Sequence, residues 1–520
     1  MDMLDFEREK ALICDSMREA RRSVRLKFEH ATTDRLRALV TLGECCGIHY
    51  SGHGDPDRLS MEDGRGAAHF VRVPALKKLL QAGSLAGLRF VFVSACFSEA
   101  AAQAFVDAGV PHVIAVRLTT RVSDLAAHAF TRAFYPALAV GHTIRAAFDI
   151  GVQAVVTSPN VPAADVEGDK FLLLGRGRGS EIPFPNLARL ESGWEPLAPA
   201  AARNQLPLPA ISEAFLGRNV ETYRVVTAVL DRRLVTIAGP RGVGKSAVAV
   251  AAIDYLATRR HFSDGVVYVD CADAATIGDL SARLYARVAR ITDATPAPAD
   301  APAAAPSDPP PPSPLASAAA DVDGHAPNGS GAAARLGGGA EGGAEGGAGA
   351  RLRAADSPLV GLHCVLVLDA LRPSLVSSQP FADLLVVLLG FPRVRTLLTA
   401  VVPVGRPLQG GAEKVIELQP LSRVNSARLL CKLSPRPLLL SELPGAGSAK
   451  DFVQRLAELD VIGGLRGNPG LIKEAAPRLS HLRLHELEVQ HHQKAVLGAM
   501  ATDGEDALGG GSGLCRNPGE

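Results

Sequence analysis

A histidine and a cysteine each follow a predicted β-strand in the first third of the chain. His53 comes shortly after the run CGIHY, and Cys96 comes shortly after the apolar run RFVFVS. If the two strands are parallel neighbours, both side chains lie at the same edge of the sheet. A helix beginning near Ser98 would direct its positive N-terminal end toward Cys96 and favour the thiolate. Cys96 would then attack a carbonyl carbon, His53 would protonate the leaving amine, and the Gly54 N–H would stabilise an oxyanion.

The spacing alone leaves ordinary alternatives open for both residues. A buried cysteine at a strand end is most often a small core residue, and a histidine between glycines is commonly part of a turn. Gly52 and Gly54 flank the histidine, and we expect them to leave room for a substrate backbone. For the acidic residues that follow, we expect a solvated charged loop: Asp55, Asp57, Glu62 and Asp63.

A second candidate site has the sequence GPRGVGKS, which fits the pattern G-x-x-x-x-G-K-[ST] between an apolar strand and an apolar helix. In this pattern backbone N–H groups surround phosphate oxygens, Lys245 reaches the terminal phosphates and the Ser246 hydroxyl binds magnesium. The predicted phosphate-binding residues are Gly239, Arg241, Gly242, Gly244, Lys245 and Ser246. Farther along, the apolar run VLVL ends in Asp369, which we predict as a second magnesium ligand. A buried strand with a chance terminal acid is the alternative.

Alternation of apolar runs with helical patterns predicts an α/β fold with parallel strands and helices on both faces of the sheet. In the first block the predicted strands are Val24–Phe28, Cys46–Tyr50, Arg89–Ser94 and Val113–Val116, and the predicted helices are Thr33–Val40, Pro74–Gln81 and Glu99–Ala108. In the second block the predicted strands are Leu234–Ala238, Gly265–Val269, Val365–Leu368 and Thr396–Ala400, and the predicted helix is Ser246–Thr258.

The chain divides by composition. Its 520 residues exceed what one hydrophobic core supports, which is about 250–300 residues. Between positions 295 and 350, 43 of 56 residues are Ala, Gly, Pro or Ser, which predicts a disordered insertion. The predicted boundaries are a domain at 1–190, a linker at 191–212, a domain at 213–480 with the insertion at about 295–355, and a C-terminal helix with a disordered tail at 481–520.

Composition also restricts the class of protein. Lys and Arg number 55 against 54 Asp and Glu, which argues against a nucleic-acid binder that relies on a basic field. Eight cysteines without a CxxC pair are too few for a disulfide scaffold and do not fit the usual zinc site. No apolar run approaches the roughly 20 residues of a membrane span, and the charged N-terminus lacks a signal peptide. We therefore expect a cytoplasmic protein with neither nucleic acid nor membrane as a partner.

The first block resembles the CHAT domain, a caspase-like (clan CD) cysteine peptidase module related to separase. The resemblance covers about residues 5–175 and includes HYSGHG at 49–54, VSACFS at 93–98, AFVDAGVP at 104–111, VSD at 122–124 and FYPALAVG at 134–141. It implies a caspase-like fold with a mostly parallel sheet and a catalytic dyad of His53 and Cys96. The N–H groups of Gly54 and Cys96 would form the oxyanion hole, while His49 would be a structural strand residue.

The first block also departs from the CHAT pattern. The chain begins at about the first helix of the expected fold, so we expect the leading strand to be missing or out of register. Family members often carry a tryptophan where this sequence reads LTT at 118–120, which leaves the substrate pocket open. Asp124 would either contribute to an acidic pocket or, as we expect, cap a helix.

The second block resembles AP-ATPase/NB-ARC-type members of the STAND signalling NTPases over about residues 213–480. The matching segments are FLGRNVE at 215–221, HFSDG at 261–265, IELQPLS at 416–422 and GNPG at 467–470. The resemblance implies a P-loop NTPase domain with a helical subdomain that binds ATP or ADP with Mg²⁺. It places Arg218 near the adenine and Pro469 close to the nucleotide, and it allows a homo-oligomer through this domain.

Two departures bear on ATP hydrolysis. Ala370 stands where relatives usually carry a second acid, and Val401 stands where an arginine often senses the terminal phosphate. Nucleotide binding is therefore better supported than hydrolysis. No winged helix or repeat array follows residue 500, so we expect the usual sensor region to be absent.

The leading hypothesis is an intracellular cysteine endopeptidase that acts on a protein substrate and is coupled to an ATP/ADP-binding switch. The alternative is a catalytically weak or inactive caspase-like signalling protein that acts only as a nucleotide-dependent switch. A plain ATPase is the third possibility, and the two departures lead us to expect slow turnover at best.

Overall fold

The computed structural model describes residues 6–43, 45–175, 179–191, 194, 207–293, 352 and 357–490. The predicted insertion at 295–350, the chain after residue 490 and most of the predicted linker lie outside the described residues. None of the described helices is long and apolar enough to cross a membrane.

Residues 6–175 form an α/β unit. In chain order its elements are α1 (Phe6–Ala20), α2 (Thr33–Leu42), β1 (Gly47–Ser51), β2 (Gly54–Asp55), β3 (Arg58–Glu62), β4 (Ala68–Arg72), α3 (Val73–Gln81), β5 (Phe90–Ser94), α4 (Glu99–Asp107), β6 (His112–Val116), α5 (Asp124–Ala139), α6 (Ile144–Val156), α7 (Ala164–Gly168) and β7 (Phe171–Gly175). The main sheet has the order β1-β5-β6-β7, in which only β7 is antiparallel to its neighbour. A small antiparallel sheet, β2-β3-β4, directly follows β1.

Residues 219–417 form a second α/β unit. Its elements are α8 (Asn219–Asp231), β8 (Leu234–Ala238), α9 (Lys245–Thr258), β9 (Val266–Asp270), α10 (Ile277–Asp293), β10 (Val365–Leu371), α11 (Pro373–Val376), α12 (Gln379–Leu389), β11 (Arg395–Ala400) and β12 (Glu413–Glu417). All pairs of the five-stranded sheet β12-β8-β11-β10-β9 are parallel. This arrangement confirms the predicted α/β class with parallel sheets.

A helical region follows the second sheet. It contains α13 (Arg423–Leu433), a 3₁₀ turn (Leu440–Glu442), α14 (Ala449–Glu458), α15 (Asp460–Gly464), α16 (Pro469–Ala475), a second 3₁₀ turn (Ala476–Ser480) and helical residues 484–490. Its helices share one core that includes Leu430, Phe452 and Leu456. The last described helix lies inside the predicted C-terminal segment at 481–520.

Each main sheet is buried on both faces, as the continuous apolar runs predicted. In β5, Val91 and Val93 pack into one core while Phe92 packs into the core on the opposite face. The second sheet is arranged in the same way. One of its cores contains both Ile291 from α10 and Leu352, and each is no more than 1% exposed.

The predicted strand at Val24–Phe28 is wrong. Val24 and Leu26 pack against the core that contains α5, but no residue of the segment pairs with a strand. The isolated bridge nearby, at Arg22, precedes the segment. The Val24 carbonyl accepts a hydrogen bond from the Trp194 indole at 2.7 Å. The alternating pattern therefore reflects a chain that covers the core without a partner strand. The other predicted strands and helices are confirmed, with ends that differ by at most three residues.

Candidate functional site

The first candidate site lies at the C-terminal ends of β1 and β5. The two strands are parallel, and Ser51 pairs with Ser94 at the end of the ladder. The Gly52 N–H continues the pairing with a 3.3 Å hydrogen bond to the Ser94 carbonyl. His53 and Cys96 each come two residues after the last paired position, and both are half-buried. The structure therefore brings the two predicted residues to the same edge of the sheet.

The glycines beside the histidine are required by close contacts within the protein. A Cβ on Gly54 would stand 2.4 Å from the Cys96 carbonyl oxygen and 3.2 Å from the Ala95 Cβ. A Cβ on Gly52 would overlap the Tyr50 hydroxyl. Protein atoms fill the space at the Cβ positions of both glycines. On that side the prediction that the glycines leave room for a substrate backbone is therefore wrong. The same contact places the backbone of Gly54 directly against that of Cys96.

The segment after the cysteine is tightly fixed. Phe97 has a φ of +55°, in the left-handed region that non-glycine residues rarely adopt. The fully buried Ser98 donates from its hydroxyl to the Val93 carbonyl at 3.0 Å and accepts from the Val116 N–H at 2.9 Å. Helix α4 begins at the next residue, as predicted. The Cys96 Sγ lies 4.0 Å from the Val122 carbonyl oxygen. Ser98 therefore ties β5 to β6 immediately beyond the candidate nucleophile.

The predicted helix cap at Asp124 is wrong. Ser123 is the N-cap of α5, and its hydroxyl accepts from the Ala126 N–H at 3.3 Å. Asp124 is the first helical residue instead. A serine side chain reaches the free N–H groups of the first turn from the N-cap position, whereas the first helical residue is placed one step too far along the chain.

A buried carboxylate beneath the site was missed by the sequence analysis. Glu9 of α1 lies 3.0 Å from the His49 ring, accepts a hydrogen bond from the Ser51 hydroxyl and lies 3.5 Å from the Ser94 hydroxyl. His49 is also hydrogen bonded to the Tyr135 hydroxyl at 2.6 Å, which agrees with its expected structural role. Burial opposes ionisation of Glu9, but the hydrogen bond and charge of His49 outweigh it, so the pKa of Glu9 is lowered.

The expected solvated loop of acids is wrong at one position. Glu62 is 21% exposed and accepts hydrogen bonds from the Arg259 guanidinium at 2.6 and 2.7 Å and from the Tyr255 hydroxyl at 2.5 Å. Burial opposes ionisation of Glu62, yet these hydrogen bonds lower its pKa. The partners belong to the second unit, so this carboxylate joins the two α/β units.

The second candidate site surrounds the start of α9. The loop between β8 and α9 contains Gly242 and Gly244 with φ values of +78° and +102°, which only glycine adopts without strain. The Lys245 ammonium donates to the carbonyls of Gly239 and Pro240, at 2.8 Å each. Burial lowers the pKa of Lys245, and the charge of Asp369 only partly offsets this effect. Lys245 and Ser246 begin the first turn of α9, where free backbone N–H groups favour the binding of an anion.

Asp369 lies in β10 and is 4% exposed. Its carboxylate accepts from the Tyr268 hydroxyl at 2.6 Å and from the Thr399 hydroxyl at 2.5 Å. Thr399 also accepts from the N–H of Ala370, whose φ of +59° marks an irregularity in the strand. Tyr268 of β9 and Thr399 of β11 were missed by the sequence analysis, because only the pairing of these strands with β10 brings them beside Asp369.

Arg218 is hydrogen bonded to the phosphate loop. It is 4% exposed and donates to the Val243 carbonyl at 2.9 Å, to the Gln419 carbonyl at 2.7 Å and to the Glu221 carboxylate at 2.8 Å. Its guanidinium therefore has protein acceptors in α8, in the phosphate loop and in the segment after β12. Arg241, in contrast, is exposed.

The segment Asn468–Gly470 lies on the phosphate loop. The Asn468 amide donates to the Arg241 carbonyl at 2.9 Å, and the Gly470 N–H donates to the Gly242 carbonyl at 3.0 Å. The Pro469 ring lies 3.8 Å from the Cβ position of Gly244. The helical region thus contacts the loop through the three residues of the GNPG motif that follow its first glycine.

The described residues contain no cluster of three or more His, Cys, Asp or Glu side chains that would hold a metal ion by themselves. A magnesium ion at Ser246 and Asp369 would therefore need oxygen ligands from a bound molecule or from water, as is usual for this ion.

Comparison with known proteins gives a family match and remote similarities to solved structures. No curated protein matches the chain. Among solved structures, the Walker-type ATPase paby2304 of Pyrococcus abyssi matches at 12% identity, over 59% of this chain and 79% of that one, with a TM-score of 0.30. A similarity this remote carries no conclusion about function. The family model described as CHAT domain, a caspase-like peptidase family, matches residues 3–164, which include β1, β5, His53 and Cys96.

Proposed function

We propose that the chain is a cysteine endopeptidase of CHAT type whose activity depends on ATP or ADP bound to its second unit. The parallel pairing of β1 with β5, in register at Ser51 and Ser94, is the observation that carries the peptidase assignment. This pairing supports the proposal because it brings His53, the proposed general acid–base, and Cys96, the proposed nucleophile, to one edge of the sheet, within the residues that match the CHAT family.

The proposed reaction has two stages. The Cys96 thiolate attacks the carbonyl carbon of a peptide bond, and a C–S bond forms while the carbonyl oxygen becomes an oxyanion. His53 donates a proton to the leaving amine as the C–N bond breaks. His53 then takes a proton from water, whose oxygen attacks the thioester, and the thiolate leaves as the carboxylate product forms. The N–H groups of Gly54 and Cys96 are the proposed donors to the oxyanion.

The residues of the second site fit a nucleoside di- or triphosphate with Mg²⁺. The positive-φ glycines, the helix N-terminus and the half-buried Lys245 form an anion-binding surface, and the buried Asp369 carboxylate supplies an acidic oxygen. Lys245 and the loop N–H groups would hold the phosphates, while Ser246 and Asp369 would hold the magnesium ion. When bound, the ion would neutralise phosphate charge. The hydrogen bond from Asn468 to the loop supports the proposal that the helical region responds to occupancy of the loop.

Peptide-library cleavage tests the peptidase assignment. We expect the full chain to cleave members of a fluorogenic library and expect Cys96→Ala and His53→Ala to abolish cleavage. Cys46→Ala is the matched control, because this exposed cysteine lies in the same unit, immediately before β1. Cleavage that survives Cys96→Ala would exclude the dyad. A chain that binds nucleotide but cleaves nothing would be assigned to the alternative, a signalling protein without peptidase activity.

A further inference from the structure

The small sheet β2-β3-β4 contacts both the first candidate site and the second α/β unit, and we call its residues 54–72 the strap. At one end, Gly54 lies against the Cys96 backbone, as described above. The Ser60 N–H of β3 donates to the His53 carbonyl at 3.0 Å. The Tyr50 hydroxyl, at the end of β1, donates to the Ser60 carbonyl at 2.5 Å. A displacement of β3 therefore displaces the backbone that carries the histidine.

The other end of β3 is clamped to the second unit through Glu62. Its carboxylate forms two hydrogen bonds with Arg259 and one with Tyr255. The Arg259 guanidinium also stacks on the Tyr255 ring, 3.6 Å from the ring centroid. Both members of the ion pair are about four-fifths buried, so water screens their charges less than it does on an open surface. We call Glu62, Arg259 and Tyr255 the clasp.

The turn between β3 and β4 adds contacts beside the clasp. Arg65 forms a 3.0 Å ion pair with Asp231 at the end of α8. Gly66 lies against the Tyr255 ring, since its Cβ position is 3.4 Å from a ring carbon. The clasp, the Arg65–Asp231 ion pair and the contact of Gly66 with Tyr255 together fix the position of the turn more firmly than one ion pair would.

Helix α9 links the clasp to the phosphate loop. It begins at Lys245, the lysine of the loop, and ends at Thr258, immediately before Arg259. A 14-residue helix is about 21 Å long and moves as one element. A shift of the helix N-terminus on nucleotide binding would therefore reach the clasp without any change within α9.

We propose that the strap couples the phosphate loop to the cysteine site. A shift of α9 is passed through the clasp along β3 to His53 and Gly54, and this changes the reactivity of Cys96. The inference rests on the proposed function, because it names the contact through which the second site regulates the first. Coupling between equilibrium binding sites is reciprocal, so a ligand that binds reversibly at the cysteine site should change nucleotide affinity by the factor by which nucleotide changes the affinity of that ligand.

The experiment measures both sites in the full chain. Alkylation of Cys96 by iodoacetamide is followed by mass spectrometry with and without MgATP or MgADP, and binding of a fluorescent ATP analogue is followed separately. The clasp variants are Glu62→Gln and Arg259→Lys, of which the second keeps the charge but loses the two-pronged geometry. Glu29→Gln is the matched control, because Glu29 also forms ion pairs in the first unit but lies outside the strap.

We expect nucleotide to change the alkylation rate of the unaltered chain by about fivefold or more, the lower range of typical coupling. Either clasp variant should still bind the analogue while losing most of this response, and Glu29→Gln should retain it. A response that survives both clasp variants overturns the proposal, as does an alkylation rate that nucleotide does not change.

A nucleotide-free arm separates the strap from the proposed function. Even without nucleotide, the clasp variants should alter the alkylation rate of Cys96, and Glu29→Gln should not. If the chain binds no nucleotide, the proposed function fails at the second site, and this arm alone decides the mechanical link. If the chain binds nucleotide but cleaves no peptide, the alkylation response still supports the strap. An unchanged alkylation rate in both clasp variants overturns the link.

Discussion

Gly54→Ala tests the contact between the histidine loop and the cysteine backbone. The new Cβ would stand 2.4 Å from the Cys96 carbonyl oxygen, whereas ordinary contacts begin near 3.4 Å. The two backbones must therefore separate by about 1 Å, which overpacking data place at about 1–3 kcal/mol of lost stability. A displacement of this size at reacting groups lowers turnover by about 100-fold. The substitution keeps the Gly54 N–H, so the effect comes from its displacement.

Two assays measure these effects. Trp194 is the only tryptophan and is buried in the core of the first unit, so its fluorescence during urea unfolding reports the stability of that unit. Peptide cleavage reports the chemistry. Gly447→Ala is the matched control, because Gly447 does not have a positive φ and its Cβ position has only an ordinary 3.8 Å contact with Asp451. Unchanged unfolding and unchanged cleavage in Gly54→Ala would refute the placement of this loop against Cys96.

Three further predictions concern other parts of the chain. Lys245→Ala should abolish binding of a fluorescent ATP analogue, because it removes the cation of the phosphate loop; retained affinity would contradict the proposed nucleotide site. Phe130→Ala should cost about 3–5 kcal/mol in urea unfolding, because the fully buried ring stacks on Phe171 at 4.4 Å; a loss below 1 kcal/mol would contradict this packing. The hydrogen bonds from Arg436 lower the pKa of Glu442 to about 2, so its contribution is present above pH 4.5 and is lost as the pH falls toward 2. Glu442→Gln should therefore destabilise the chain by about 1–2 kcal/mol at pH 7, after allowance for solvent screening, and by less at pH 3.

Local sequence patterns predicted most of the elements that carry the two sites. Strands buried on both faces appear as continuous apolar runs, and the phosphate loop has its glycines at fixed spacing. Both signals lie within a few neighbouring residues. On the expectation that the two strands are parallel neighbours, their ends alone predicted that His53 and Cys96 lie at one sheet edge.

Long-range partners could not be predicted in this way. Glu62 resembles its exposed acidic neighbours in sequence, and its partner Arg259 is 197 positions away. Glu9 carried a weak local signal, because it shares a helix face with the buried Ile13 and Ser16. An acid on a buried helix face predicts a buried polar partner, but the helical pattern does not identify which strand supplies it.

The second unit also illustrates how little the length of a connection changes the free energy of folding when its two ends meet in one core. Ile291 and Leu352 pack into one core, so the described chain on the two sides of positions 294–351, a stretch of 58 residues, meets in the same part of the unit. The entropy lost on closing a flexible connection grows only with the logarithm of its length. By this relation, a flexible connection of 58 residues disfavours folding by only about 2 kcal/mol more than one of five residues. The number of residues in this stretch can therefore change widely between variants of this chain while the parallel sheet keeps its stability.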